Sequence, residues 1–265
     1  MTPGRTRRVA AIGLLLTVGT PLAARLWAAP PASSSPAVPP FAVIELFTSE
    51  GCASCPPADW LLGRMLAEAR RRQERLFPLA FHVDYWNSPG WTDPFSSALA
   101  TRRQRAYAAV FHGRGVYTPQ MVVNGTVEFV GSDWWKARTV LTKAMQTPGR
   151  VALSIRVARP TPGEPLQVHY EVAAPPAGAV LQVALAERGV VQRVSGGENA
   201  GRLLHHEHVV RAFQTVPLSG AGPGDLRLPV PTGVALAHTA VIGFVQEPTT
   251  MMILGADGTD VVPAP

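Results

Sequence analysis

The spacing of apolar residues along this 265-residue chain changes near residue 146. Before that point, short continuous apolar runs alternate with segments of helical period. "FAVIELF" (residues 41–47) is almost wholly apolar, as a strand buried on both faces requires. In "ADWLLGRMLAEARRRQ", Trp60, Leu61, Leu62, Met65, Leu66 and Ala69 fall at helical spacing. That segment ends on Arg70, Arg71 and Arg72, where cations meet the negative end of the helix dipole. "PLAFHVDYW" (78–86) reads as a second strand, so strand, helix and strand predict a βαβ unit with parallel strands. After a turn-rich start at Asn87, residues Phe95, Leu99, Ala106, Tyr107, Val110 and Phe111 predict an inserted helix. Asn124-Gly125 between apolar runs predicts a β-hairpin. "SDWWKARTVLTKAM" predicts a further helix with Ser132 as its N-cap.

From about residue 147 the pattern becomes short alternating runs broken by Pro and Gly, including "VALSIRVARP", "LQVHYEVAAP" and "AHTAVIGFVQEP". Such runs predict a β-sandwich. The fold class expected is therefore an α/β thioredoxin-like fold with a helical insertion (41–146), followed by an all-β sandwich-like C-terminal domain (147–265).

Composition changes this picture at the N-terminus. Residues 1–29 carry Arg5, Arg7, Arg8 and Arg25, no acids, and the apolar run "VAAIGLLLTVGTPLAA". That is the pattern of a signal peptide, with an uncleaved membrane anchor as the competing reading. "TRRVAA" also resembles a twin-arginine leader. "PPASSSPAVPP" (30–40) reads as a disordered tether. The body is thus expected outside the cytoplasm, periplasmic or extracellular, touching a membrane only if the leader is retained. The four leader arginines account for much of the formal charge of +6, leaving 20 basic residues against 18 acidic. A balance of about +2 argues against a nucleic-acid partner.

The candidate chemistry lies in "TSEGCASCPPAD" (48–59), which contains both cysteines of the chain, Cys52 and Cys55. A structural zinc site needs four ligands, and no second pair exists to complete one. A structural staple normally closes a longer loop than two residues. A pair that follows a buried strand and opens a helix sits at the positive helix terminus, where a thiolate is stabilised. The expectation is thiol–disulfide exchange, with Cys52 exposed and nucleophilic and Cys55 more buried and resolving. Thr118-Pro119, just before "QMVV", is the candidate cis-proline and substrate-binding loop. No organic cofactor and no metal is expected; the partners are protein thiols or disulfides and a redox partner the sequence does not identify. The rival reading is a copper- or zinc-delivery protein using the same cysteines, since soft thiolates select Cu(I).

Three further residues are weighed as supporting the site. His82 and Asp84 lie at the end of their strand, where parallel sheets place ligands. Both could exchange protons with Cys55; the alternative is that His82 is simply a hydrogen-bonded core residue. Glu45, inside the first strand, is either a proton-transfer acid or one partner of a salt bridge to Arg103 or Arg105. Tyr85, Trp86, Trp91 and Tyr117 are candidates to line a peptide groove, with a plain core role as the alternative. His205, His206 and His208 read as a solvated strand face rather than a metal site, with His206 and His208 on the same side. Pro56 disfavours helical backbone at Cys55, so the first helical turn is expected to be irregular.

"VIELFTSEGCASCPPAD", "LAFHVDYWNSPGWTDPFSS", "RQRAYA" and "VYTPQMVVNG" together resemble the secreted thioredoxin-like family known as domain of unknown function 1223. The likeness is dense over residues 43–131 and continues more weakly through "GGENAGRLL" to "ILGA". It implies a redox role for Cys52 and Cys55 and a cis bond at Pro119, and no defined substrate. The dipeptide between the cysteines, Ala53-Ser54, lacks the histidine that stabilises the thiolate in strong oxidants, which suggests an intermediate potential.

Overall fold

The computed structural model describes residues 37–88, 90–113, 115–161 and 163–262, together with Met1, Thr2 and Gly4. The expected leader lies almost wholly outside the described residues, as does most of the tether. Where the tether is described it is held rather than disordered: Pro40 bridges to Pro148, and Val38 accepts a hydrogen bond from the Gly149 amide. Among the described residues no helix is long and apolar enough to cross a membrane.

The elements follow in the order β1 (Ala42–Thr48), α1 (Pro56–Arg71), β2 (Leu76–His82), α2 (Ala98–Val110), β3 (Gln120–Val123), β4 (Val127–Val130) and α3 (Trp134–Ala144). Then come β5 (Leu153–Val157), β6 (Leu166–Val172), β7 (Val180–Glu187), β8 (Val190–Arg193), β9 (Leu203–His206), β10 (Val209–Pro217), β11 (Gly222–Leu228), β12 (Thr239–Gln246) and β13 (Ile253–Asp260). This is a mixed α/β architecture dominated by a large sheet.

β1 is the hub of the N-terminal half. Every residue in it is buried, as its continuous apolar run requires. It pairs in parallel with β2, in register Ala42↔Leu76, and antiparallel with β3, in register Phe47↔Gln120. The α1 face carrying Ala58, Leu61, Leu62, Met65 and Ala69 packs against Ile44, Leu46 and Met121. Two sequence expectations shift locally. Asp133, one residue after Ser132, caps α3 by accepting from the Lys136 amide at 2.9 Å. Cys55 is helical, at φ −79° and ψ −39°, despite the proline after it.

The expected boundary between residues 146 and 147 does not separate two bodies. Pro36–Pro265 is one compact unit, and a single sheet runs β13-β12-β7-β10-β2-β1-β3-β4. The join is β10 against β2, with Val209 opposite Ala80 and the His208 carbonyl accepting the Ala80 amide at 2.9 Å. The sandwich-like part survives as a second layer: β11-β6-β5 packs through Ile155, Leu166, Val168 and Leu228 onto Leu181, Leu185, Val241 and Val245 of the large sheet. Period alone cannot reveal that a strand late in the chain adds to an edge formed early. β2 has an apolar edge free in its own βαβ unit, and pairing with β10 removes it from water.

The β3–β4 hairpin also ties the halves together. Asn124 and Gly125 both have positive φ, 49° and 66°. The Asn124 side chain accepts from the Val43 amide and donates to the Phe41 carbonyl, while its own carbonyl accepts from Ile253. A methyl group at Gly125 would run into the Met251 carbonyl. Gly125→Ala is therefore expected to destabilise the protein by about 2 kcal/mol or more, since the left-handed backbone penalty adds to the clash. A shift in urea midpoint measures it; an unchanged midpoint would contradict the tight approach.

Candidate functional site

Cys52 and Cys55 form a disulfide. It lies beyond the end of β1, at the N-terminus of α1. Backbone turns position it: the Cys52 amide donates to Ser49 O, the Cys55 amide to Cys52 O, and the Ala58 and Asp59 amides to Cys55 O. Cys55 is the N-cap of α1, with no side-chain capping bond. Pro56 and Pro57 remove two N–H groups that would otherwise be orphaned in the first turn.

Thr118-Pro119 is a cis peptide at the same sheet end, because β3 runs antiparallel to β1 and begins one residue later. Trp86 links the two loops. Its indole donates to Thr118 Oγ1 at 2.7 Å, and its backbone and Cβ press on Gly51. Pro119 itself is buried, close to Gly131 and the Ala58 side of α1.

The exposed Cys52 expected from sequence is not found: both cysteines are 0 % exposed. Residues 194–202, between β8 and β9, lie against the cysteine loop. Asn199, itself fully buried, donates to Glu50 O at 2.8 Å and to Cys52 O at 2.9 Å. Arg202 donates to Asn199 Oδ1 at 2.7 Å and fixes the amide's orientation. Glu198 accepts from the Ala53 amide at 2.9 Å. Gly196 packs so closely on Gly90 and Trp91 that no side chain fits there.

A buried ionic cluster adjoins this loop. His206 Nε2 lies 3.3 Å from Glu50 Oε1, and its Nδ1 lies 3.5 Å from Asp59 Oδ1. Thr48 Oγ1 donates to Asp59 Oδ2 at 3.0 Å. His82 stands edge-on to His206, with ring centroids 4.8 Å apart, and its Nδ1 meets Asp93 Oδ2 at 2.7 Å. Asp93 also accepts from the Glu50 amide, which ties the cluster to the cysteine loop. Burial alone would pull the His206 pKa down, but Asp59 and Glu50 outweigh it and push it up to about 10. Burial raises Asp93, while the His82 charge and hydrogen bond, with the Glu50 and Phe95 amides, hold it below its usual value.

The sign of the pH effect follows from these directions. A histidine whose folded pKa exceeds its unfolded value, about 6.5, contributes stability that is complete below that value. The contribution is lost as pH rises toward 10. Asp93 works in reverse, its contribution being present above its unfolded pKa and lost as pH falls. Wild-type stability is expected to fall between pH 7 and 10, and His206→Gln to flatten that fall. Urea denaturation across the range tests it, and an unaltered slope in the variant would remove His206 as the cause.

The other predicted residues resolve individually. His82 joins the cluster. Asp84 does not: it bonds Thr101 of α2 through its side chain and its amide. Glu45 takes the salt-bridge role, to Arg103 rather than Arg105, with Tyr107 as a second donor. Tyr85 and Tyr117 are committed to Gln104 and Glu128. The expected solvated histidine face is overturned for two of its three members: His206 and His208 are buried, and only His205 is exposed. The predicted single strand breaks at His208, whose φ of 53° turns the chain from β9 into β10. Sequence reasoning missed Glu50, Asp59, Asp93, Asn199 and Glu198. The "GGENAGRLL" stretch of the family likeness was the one signal pointing toward the last two.

The fold and site define a mixed α/β protein with a buried Cys-x-x-Cys disulfide at the end of a central strand. A family model described as Protein of unknown function (DUF1223) matches residues 43–246, and the chain belongs to that family. A crystal structure of a protein from Agrobacterium tumefaciens is 30 % identical, with a TM-score of 0.65 over 85 % of this chain and 95 % of that one. HBP35 of Porphyromonas gingivalis shares the fold at 14 % identity, with a TM-score of 0.62 over 84 % of this chain and 76 % of that one. None of the curated proteins matches the chain.

Proposed function

We propose that the protein is an exported thiol–disulfide oxidoreductase built on a thioredoxin-like fold, acting on protein thiols or disulfides. The observation that carries this is the Cys52–Cys55 disulfide at the N-terminus of α1, sharing one sheet end with the Thr118-Pro119 loop. The strand order β2-β1-β3-β4, with α1 between the parallel pair and α3 after the hairpin, supports the thioredoxin-like assignment. Export is supported by the cationic, apolar leader and by a disulfide compatible with an oxidising compartment.

In this reading a substrate thiolate attacks Cys52 Sγ, and the electron pair of the broken bond leaves on Cys55. A second substrate thiolate then resolves the mixed disulfide and releases Cys52. The reduced pair runs the same steps backwards. The acid–histidine cluster next to the cysteine loop keeps polar, protonatable groups close to the reacting segment.

The test is titration of the pair against glutathione, with thiol alkylation as readout. A midpoint between about −120 and −270 mV is expected for a working oxidoreductase. A midpoint below about −300 mV would make the pair a structural staple and overturn the proposal.

A further inference from the structure

A polypeptide substrate has to meet two loops at once, the one that carries Cys52 and the one that contains Pro119. Both are touched by a single short turn, Asp84–Trp86, which follows β2. That turn is anchored on two sides. The Val83 amide donates to Thr48 O, at the end of β1, at 2.9 Å, and the Asp84 amide donates to Thr101 Oγ1 of α2 at 3.1 Å. Trp86, at its last position, therefore stands on a fixed base.

From that base Trp86 reaches the residue before Cys52 and the residue before Pro119. On the first side it meets Gly51, where a side-chain carbon would come within 3.1 Å of Trp86 O and 3.3 Å of Trp86 Cβ. The missing side chain is what lets the two approach. On the second side its indole Nε1 donates to Thr118 Oγ1 at 2.7 Å. The next residue back is held as well. The buried Gln104 side chain donates to Tyr117 O at 2.7 Å, and Tyr85 donates to Gln104 Oε1 at 3.1 Å. These contacts leave the Thr118 main chain open: its amide and carbonyl have no hydrogen-bond partner among the described residues, and the residue is partly exposed. An N–H and C=O in that state are available to another backbone.

Resting on the oxidoreductase reading, we propose that Trp86 is a positioning residue for that reaction, fixing Thr118 against the Cys52 loop so that a cysteine-containing polypeptide held on the Thr118 main chain delivers its sulfur to Cys52. Trp86 takes no part in the bond changes. The substrate thiolate attacks Cys52 Sγ, the bond to Cys55 breaks, and Cys55 leaves with the electron pair and takes up a proton. The second substrate thiolate attacks the substrate sulfur and expels Cys52, which is protonated in turn. The substrate dithiol is oxidised to a disulfide while the pair is reduced to two thiols. Dithiothreitol follows the same steps with no backbone to place on Thr118, so it reports the chemistry without the positioning.

The test is single-turnover oxidation of a two-cysteine peptide by the oxidised full-length protein, with dithiothreitol in parallel. Trp86→Phe keeps most of the packing and removes the donor. It is expected to raise the half-saturating peptide concentration several-fold, to about tenfold, the worth of one hydrogen bond, while the dithiothreitol rate changes by less than about twofold. Thr118→Val removes the acceptor and should do the same. The double variant should be no worse than either single one, because both delete the same link. Gly51→Ala pushes Trp86 from the opposite side and should shift the indole N–H resonance that is missing from Trp86→Phe.

Equal losses toward peptide and dithiothreitol would make Trp86 a support of the cysteine loop alone and overturn the proposal. Additive losses in the double variant, or an unmoved indole resonance in Gly51→Ala, overturn it too. If Trp86→Phe does not fold, Thr118→Val read against dithiothreitol decides by itself. Unchanged peptide oxidation in the variants sinks the positioning role and leaves the oxidoreductase reading standing. No oxidation of the peptide by the wild-type protein at any concentration sinks both.

Discussion

Arg103→Met will lower the stability of the whole described unit by about 3–5 kcal/mol, the usual result of removing one partner of a buried ion pair. Arg103 is 8 % exposed and Glu45 not at all. The guanidinium bonds both carboxylate oxygens of Glu45, the Tyr107 hydroxyl at 3.2 Å and Gln246 Oε1 at 3.2 Å. It also sits among Phe81, Tyr107, Phe213 and Phe244, between 4.9 and 5.7 Å from their ring centroids. Burial works against its charge, but Glu45 and Tyr107 hold its pKa above the usual value. Methionine leaves the Glu45 carboxylate buried with only Tyr107 to donate to it. Because β1, α2 and β12 meet at this network, the loss should appear as one cooperative transition at lower urea. Two separate transitions, or an unchanged midpoint, would mean that the halves are not coupled through Arg103. Glu45→Gln should leave the rate of disulfide exchange unaltered if Glu45 is purely structural.

Cys52→Ser will abolish disulfide exchange, and Cys55→Ser will convert it into trapping. Without Cys52, no mixed disulfide can form at the attacked position of this loop. Without Cys55, a mixed disulfide on Cys52 has no resolving thiol and persists. The fold should survive both changes. Closing a loop this short restricts the unfolded chain little, so the stability loss should be at or below about 2 kcal/mol. The decisive observation is a covalent adduct between the Cys55→Ser protein and a disulfide-bonded substrate, visible on a non-reducing gel and absent with Cys52→Ser. Adducts that form equally through either remaining cysteine would contradict the assignment of Cys52 as the attacked and attacking sulfur.

The sequence alone determined those parts of the molecule whose causes are local. A wholly apolar run made β1 a doubly buried strand, and helical spacing made α1. Asn124-Gly125 made a hairpin because few residues accept two successive positive φ values. The cysteine pair was legible because both members lie on one turn, and the Thr118-Pro119 loop because hairpin and helix located it. Only the tertiary structure decided what depends on segments distant in sequence. Nothing in the period of residues 209–217 shows that β10 joins β2, since strand pairing is a long-range match of backbone edges. Asp59 on α1 and His206 on β9 are polar residues with no shared motif. They meet because each is buried and needs the other's charge. Cys52 is buried where exposure was expected, and Asn199, which holds its carbonyl, lies 147 positions away and binds backbone atoms, which no side-chain pattern records.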